Sequence, residues 1–177
     1  LLKNAKDWGS DPTRIALAGE GAGGNLAVAT ARAARAQSLP RPTAILAIYP
    51  LATTAMDTPS KREDATARPL NTAMVTWFFG HELRNDADRR DTRLDLVSAD
   101  LKGLPPTTIV AAEIDPLRSD GEMLAAKLRE AGVDTTYRLY SGATHDFFGM
   151  DPVVAKAREA QDFATSQLKR AFATRSP

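Results

Sequence analysis

The chain has 177 residues, enough for one domain with a real core, and carries 23 Lys and Arg against 22 Asp and Glu. That balance removes the electrostatic case for nucleic acid or an anionic membrane surface as a partner. No cysteine is present, so disulfides and thiolate metal sites are excluded, which fits a reducing, cytoplasmic compartment; an apolar run of roughly 18 residues, long enough to span a bilayer, is also missing.

The opening Leu1-Leu2-Lys3-Asn4 is not the charged and then apolar start of a signal peptide. It reads as the middle of a helix over 1–8 that stops at Gly9, as though the sequence began partway through a larger one. Ser10-Asp11-Pro12-Thr13 is turn chemistry. A strand is expected at 14–19 and a helix at 22–37, its alanines at 27, 29, 31, 33, 34 and 36 suited to close packing on a sheet. Thr43-Ala-Ile-Leu-Ala-Ile-Tyr49 is a continuous apolar strand of the kind buried on both faces.

From Pro50 to about Asp100 charges crowd in, at 61–64 and again at 86–95, and apolar strands vanish. One amphipathic helix is expected there, at 71–83. Alternation then resumes with a strand at 107–112. A helix at 119–131 follows, opened by a Ser119-x-x-Glu122 capping box, lined by Leu124, Leu128 and Ala131, and closed by Gly132. A strand at 134–140 and a last helix from Asp151-Pro152 complete the chain, with Val153, Ala157, Ala160, Ala164 and Leu168 on one stripe. This alternation predicts an α/β fold, a mostly parallel sheet covered by helices. Residues 50–100 read as an insertion over the carboxyl ends of the strands, where α/β ligands bind, against the plainer alternative of a surface excursion.

Between the first strand and its helix stands Gly19-Glu20-Gly21-Ala22-Gly23. A strand, a glycine-rich turn and a helix are the layout of the G-x-S-x-G elbow, which raises a serine hydroxyl above a sheet. Glycines 19, 23 and 24 would let the helix start press on the strand. The central position is Gly21, which has no nucleophile. Alone, the pentapeptide is equally an ordinary glycine-rich join. Gly19-x-Gly21-x-x-Gly24 also spells a dinucleotide fingerprint. That motif wants an acidic residue about 20 positions on. None occurs between Glu20 and Asp57, and the charge of Glu20 at the helix mouth would repel phosphate.

An elbow needs an acid and then a histidine, each in a loop after a strand. Asp115 follows the strand at 107–112 and His145 the strand at 134–140, on the edge that carries Gly21. A histidine there can shuttle a proton, with a carboxylate fixing its tautomer. The only other histidine, His81, falls on the 71–83 helix with no partner pattern and reads as solvated. Two histidines without clustered carboxylates speak against a catalytic metal, and no cofactor is expected.

Four segments together resemble the hormone-sensitive lipase family of α/β-hydrolase esterases: residues 11–27 around the elbow, Leu104-Pro-Pro-Thr-Thr108, Ala112-Glu-Ile-Asp-Pro-Leu-Arg118, and His145-Asp-Phe-Phe148. The resemblance covers nearly the whole chain. It implies the C-terminal portion of an α/β-hydrolase fold with residues 50–100 as a cap-like insertion. It also implies hydrolysis of small acyl esters through a nucleophile-Asp-His triad. Asp115 would be the acid, His145 the base, Gly21 the nucleophile position and the Ala22 N–H an oxyanion donor.

Two departures follow. Gly21 replaces the nucleophile, and the family's upstream His-Gly-Gly-Gly-type loop does not occur in this sequence. Inactivity toward esters is therefore expected of the chain as written. In such a fold the strand at 14–19 lies mid-sheet, so without upstream strands its edge would be open to pairing, which raises the odds of a homo-oligomer. An upstream portion outside this sequence, a second copy, or an altered edge would each answer that. The alternative function is a non-catalytic small-molecule-binding or receptor-like member of the same fold.

Overall fold

The computed structural model describes residues 4–173. Four strands form one sheet in the order β1 (Ala16–Glu20), β2 (Ala44–Ile48), β3 (Thr107–Ile114), β4 (Thr135–Thr144), every neighbouring pair parallel. The connections run through α1 (Ala22–Ala36) after β1, α2 (Pro59–Glu63) and α3 (Thr72–Glu82) between β2 and β3, and α4 (Arg118–Glu130) after β3. The last helix, α5, spans Ala155–Ala173.

Side chains alternate across a strand, so β2 can feed two layers at once. Ile45 and Ala47 join Ala27, Val28 and Ala31 of α1 and Leu124 and Leu128 of α4 in one apolar cluster. Leu46 and Ile48 join Ala157, Ala160 and Ala164 of α5 in another. All five β2 residues are buried, as the unbroken apolar run predicts. Each large aliphatic side chain so enclosed contributes roughly 1.5–3 kcal/mol of transfer free energy.

Element types and order match the expectations closely, and the differences are local. Of the expected helix over 1–8, residues 1–3 lie outside the described residues; Lys6–Trp8 is a short 3-10 turn closed by Gly9 at φ 70°. β1 starts at Ala16, because Arg14 belongs to a turn whose N–H reaches the Asp11 carbonyl. β4 runs on to Thr144, so Ser141–Thr144, expected as loop, is strand.

The Ser119 capping box does not form. The N-cap position of α4 is Leu117, without a side-chain cap, and Ser119 lies inside the helix. Its hydroxyl accepts from the Ser60 N–H at 3.1 Å, while its own N–H donates to the Ser60 hydroxyl at 3.0 Å. A tertiary partner displaced the local one. Gly132 does close α4, at φ 77°. Residues 151–153 form turns before α5, and Val153 is 84% exposed rather than part of its buried stripe; Leu168 is partly buried against that core.

Between 50 and 100 there is no strand, as expected. The 71–83 helix is there as α3, with the Asn71 side chain accepting from the Met74 N–H at 2.9 Å, but it is not amphipathic: Val75 and Phe79 are buried while the apolar Met74, Trp77 and Phe78 are exposed. The short helix α2 was not legible. Its charged run holds Lys61, which is wholly buried. At the other end of the sheet β1 pairs only with β2 among the described residues, so its far edge is unpaired there.

Candidate active site

Gly21 joins β1 to α1 with φ 53° and ψ −117°, a conformation that residues with a Cβ rarely take. Its N–H donates to the Ile48 carbonyl at 2.9 Å, and its own carbonyl accepts from Leu51 and Asn25. Gly19 is required for a different reason: a Cβ there would stand 2.3 Å from backbone atoms of Gly23. Helix and strand therefore press together as the glycine pattern suggests, although Gly23 itself has open space where a Cβ would be. The result is a sharp turn with Gly21 facing the carboxyl end of the sheet.

Asp115 follows β3, next to a register shift between Ala112 and Ile114. It is completely buried. One carboxylate oxygen accepts from the Leu117 N–H at 2.8 Å, and the other lies 2.7 Å from Nδ1 of His145, which follows β4. A carboxylate accepts, so Nδ1 donates and Nε2 is left on the side of Gly21, 3.7 Å from Oδ1 of Asp146. A Cβ on Gly21 would stand 3.5 Å from that Nε2. The three positions expected from the sequence are thus brought together, with Ala22 opening α1 beside them. The N–H groups that begin a helix have no intrahelical acceptor.

A cavity of about 490 Å³ opens over Gly21 and His145. Its walls include Leu26 of α1, Leu51, Leu70 and Leu94 from the 50–100 segment, and Phe79 of α3. His81 lines it too. That histidine is exposed as expected, yet not isolated: Nδ1 lies 2.8 Å from the Trp77 carbonyl and its ring 4.0 Å from the Trp77 ring.

Sequence reasoning passed over the residues around this trio. Asp64 accepts from the Asp115 N–H at 3.2 Å. Burial raises the Asp64 pKa, opposed by that hydrogen bond and by the nearby Arg118 guanidinium. Tyr49, at the end of β2, packs its ring on the imidazole of His145 at 4.4 Å between centroids, and its hydroxyl donates to Glu20. The signal for Tyr49 was only its place after a buried strand. Among the described residues no group of three or more His, Cys, Asp or Glu is arranged to hold a metal ion, and no helix is long and apolar enough to cross a membrane.

Comparison with known proteins decides the lineage. Residues 1–149 match the family model described as the alpha/beta hydrolase fold. The chain belongs to the α/β-hydrolase fold family. Among relatives of this hydrolase chain is carboxylesterase NlhH of Mycobacterium tuberculosis, 36% identical over 174 residues, covering 96% of this chain and 54% of the relative. An ethyl acetate hydrolase of Pseudomonas putida is 31% identical over 172 residues, with 96% and 54% covered. The solved structure of EstE1, a thermophilic carboxylesterase cloned from a metagenomic library, superposes with a TM-score of 0.93 at 32% identity, covering 99% of this chain and 60% of that one. The resemblance to esterases of this fold holds at family level, and the scaffold is of the carboxylesterase type. The chain spans about half the length of the curated relatives it matches.

Proposed function

We propose that the chain carries the acid–base half of a carboxylic-ester hydrolase site, with Asp115 as acid, His145 as base and Gly21 where the nucleophile would stand. The observation that carries this is the 2.7 Å Asp115–His145 contact combined with Nε2 lying 3.5 Å from where a Cβ on residue 21 would stand. With serine at 21, Nε2 takes the hydroxyl proton as Oγ attacks the ester carbonyl. The Ala22 N–H supports the developing oxyanion, and the imidazolium returns the proton to the departing alkoxide. Water, activated by the same nitrogen, then releases the acyl group. Asp115 holds the imidazole in the required tautomer and stabilises its cationic form.

As written, with Gly21, the dyad has only water to activate. Loss of a triad serine lowers turnover by roughly 10⁶. The Gly21 protein is therefore expected to show no esterase turnover. Residues 50–100 act as a cap that shapes a small acyl pocket, an assignment supported by the leucines they contribute to the cavity wall. The deciding experiment is Gly21→Ser in the full-length protein, assayed with p-nitrophenyl acetate and butyrate. Hydrolysis is expected, and His145→Ala in that background abolishes it. A restored serine that gives neither burst nor turnover rejects the assignment.

Gly21 itself favours a second possibility, a binding module that holds a small apolar acid or ester in the same cavity. Serine restoration would then give no hydrolysis. A ligand such as butyrate or ethyl butyrate would instead raise the melting temperature of the Gly21 protein.

A further inference from the structure

Tyr49 is one of three non-glycine residues with positive φ among those described, and the only aromatic one, at 33°. A bulky residue in that region stores strain, and strain of this kind persists only where surrounding contacts enforce it. Three contacts do so. The Tyr49 N–H donates to the Val110 carbonyl of β3 at 2.6 Å. Its hydroxyl donates to the carboxylate of Glu20, the last residue of β1 and the neighbour of Gly21. Its ring, 1% exposed, lies 4.4 Å from the His145 imidazole at 51° and 6.1 Å from Phe147 at 55°.

We infer that Tyr49 is a positioning residue for His145: anchored to Glu20 at one end and strained at the backbone, it presses its ring on the imidazole and holds Nδ1 on Asp115. Asp115 grips one edge of the imidazole and Tyr49 covers a face. Tyr49 also links the elbow to the base, because Glu20 immediately precedes Gly21. Nothing in the ring touches a reacting atom; its influence passes through His145. The inference rests on His145 being the base, as proposed above.

The chain holds only two histidines, so ring ¹⁵N and ¹H NMR reads His145 directly, with His81 as an internal exposed reference. In the Gly21 protein His145 is expected as the Nδ1–H tautomer, with slow exchange of that proton with water. Tyr49→Phe keeps the ring and loses the anchor. Glu20→Ala loses the same anchor from an exposed position, outside the buried core. Both are expected to speed Nδ1 proton exchange about five- to tenfold, the worth of one hydrogen bond, and to admit some Nε2–H tautomer. Glu20→Gln, which still accepts from the phenol, restores the parent behaviour.

If Glu20→Ala and Tyr49→Phe lower the melting temperature but leave tautomer and exchange as in the parent, Tyr49 is structural only and the inference is overturned. The readout needs no catalysis. Failure of Gly21→Ser to hydrolyse esters therefore strikes the esterase assignment, and an unmoved tautomer strikes this one.

Discussion

Lys61 and Asp120 meet at 2.6 Å with neither side chain reaching solvent. Asp120 also accepts from the Ala52 and Thr53 N–H groups at 3.0 Å each. The pair thus ties α2 and the chain after β2 to α4, just beyond Asp115. Removing one partner leaves a buried charge uncompensated. Lys61→Met is expected to lower the unfolding free energy by about 3–5 kcal/mol, measured by urea denaturation. Adding Asp120→Asn, whose amide oxygen can still accept from both N–H groups, should recover part of that loss. A double variant as unstable as the sum of the singles would show that the two charges are not coupled.

Serine at position 21 restores a nucleophile at the expense of backbone strain. Gly21 sits at φ 53°, and a non-glycine residue there costs on the order of 1–3 kcal/mol. Gly21→Ser and Gly21→Ala are both expected to melt below the parent by that margin, with only the serine form gaining hydrolysis. Equal or higher melting temperatures for both would remove strain from the account.

Alkaline stability depends on Tyr49. Burial first, then the hydrogen bond to the Glu20 carboxylate, pushes its phenol well above the ordinary 10.0. A group whose folded-state pKa is raised stabilises fully below the unfolded value and loses that contribution as pH climbs past it. The parent is therefore expected to lose stability above about pH 10, by up to about 1.4 kcal/mol per unit from this residue. Tyr49→Phe should flatten the decline. Denaturant titrations at about pH 9 and about pH 11.5 compare the two directly; parallel slopes would show that the phenol stays protonated equally well in both states.

Leu124 and Val153 test the packing. Leu124 is fully enclosed between α4 and the sheet, so Leu124→Ala should cost about 2–5 kcal/mol. Val153, 84% exposed before α5, should tolerate alanine within about 0.5 kcal/mol. A sizeable loss at Val153 would mean that the turn at 151–153 is covered by something in solution.

Much of this architecture was legible because its causes are local. The apolar run through Ile45 and Ile48 specifies a doubly buried strand, and Asn71 specifies where α3 begins, since its side-chain oxygen accepts from an N–H only three residues away. The glycine at the elbow centre is visible by inspection. So is the order in which Asp115 and His145 follow their strands, although their contact, across thirty residues, had to await the fold.

Other features have no local cause. Ser119 could cap its own helix in isolation, but Ser60, 59 residues away, offers a better pair of hydrogen bonds once α2 docks. Lys61 looks like one charge in a solvated run until Asp120, also 59 residues distant, draws it inward. Tyr49 looks like the end of a strand until Glu20, 29 residues earlier, receives its hydroxyl and His145 receives its ring. Periodicity and capping act within a turn or two of chain, so the order of residues alone settles them. Burial, ion pairing and ring contact belong to atoms that meet only after the sheet has assembled, and only folding could assign them.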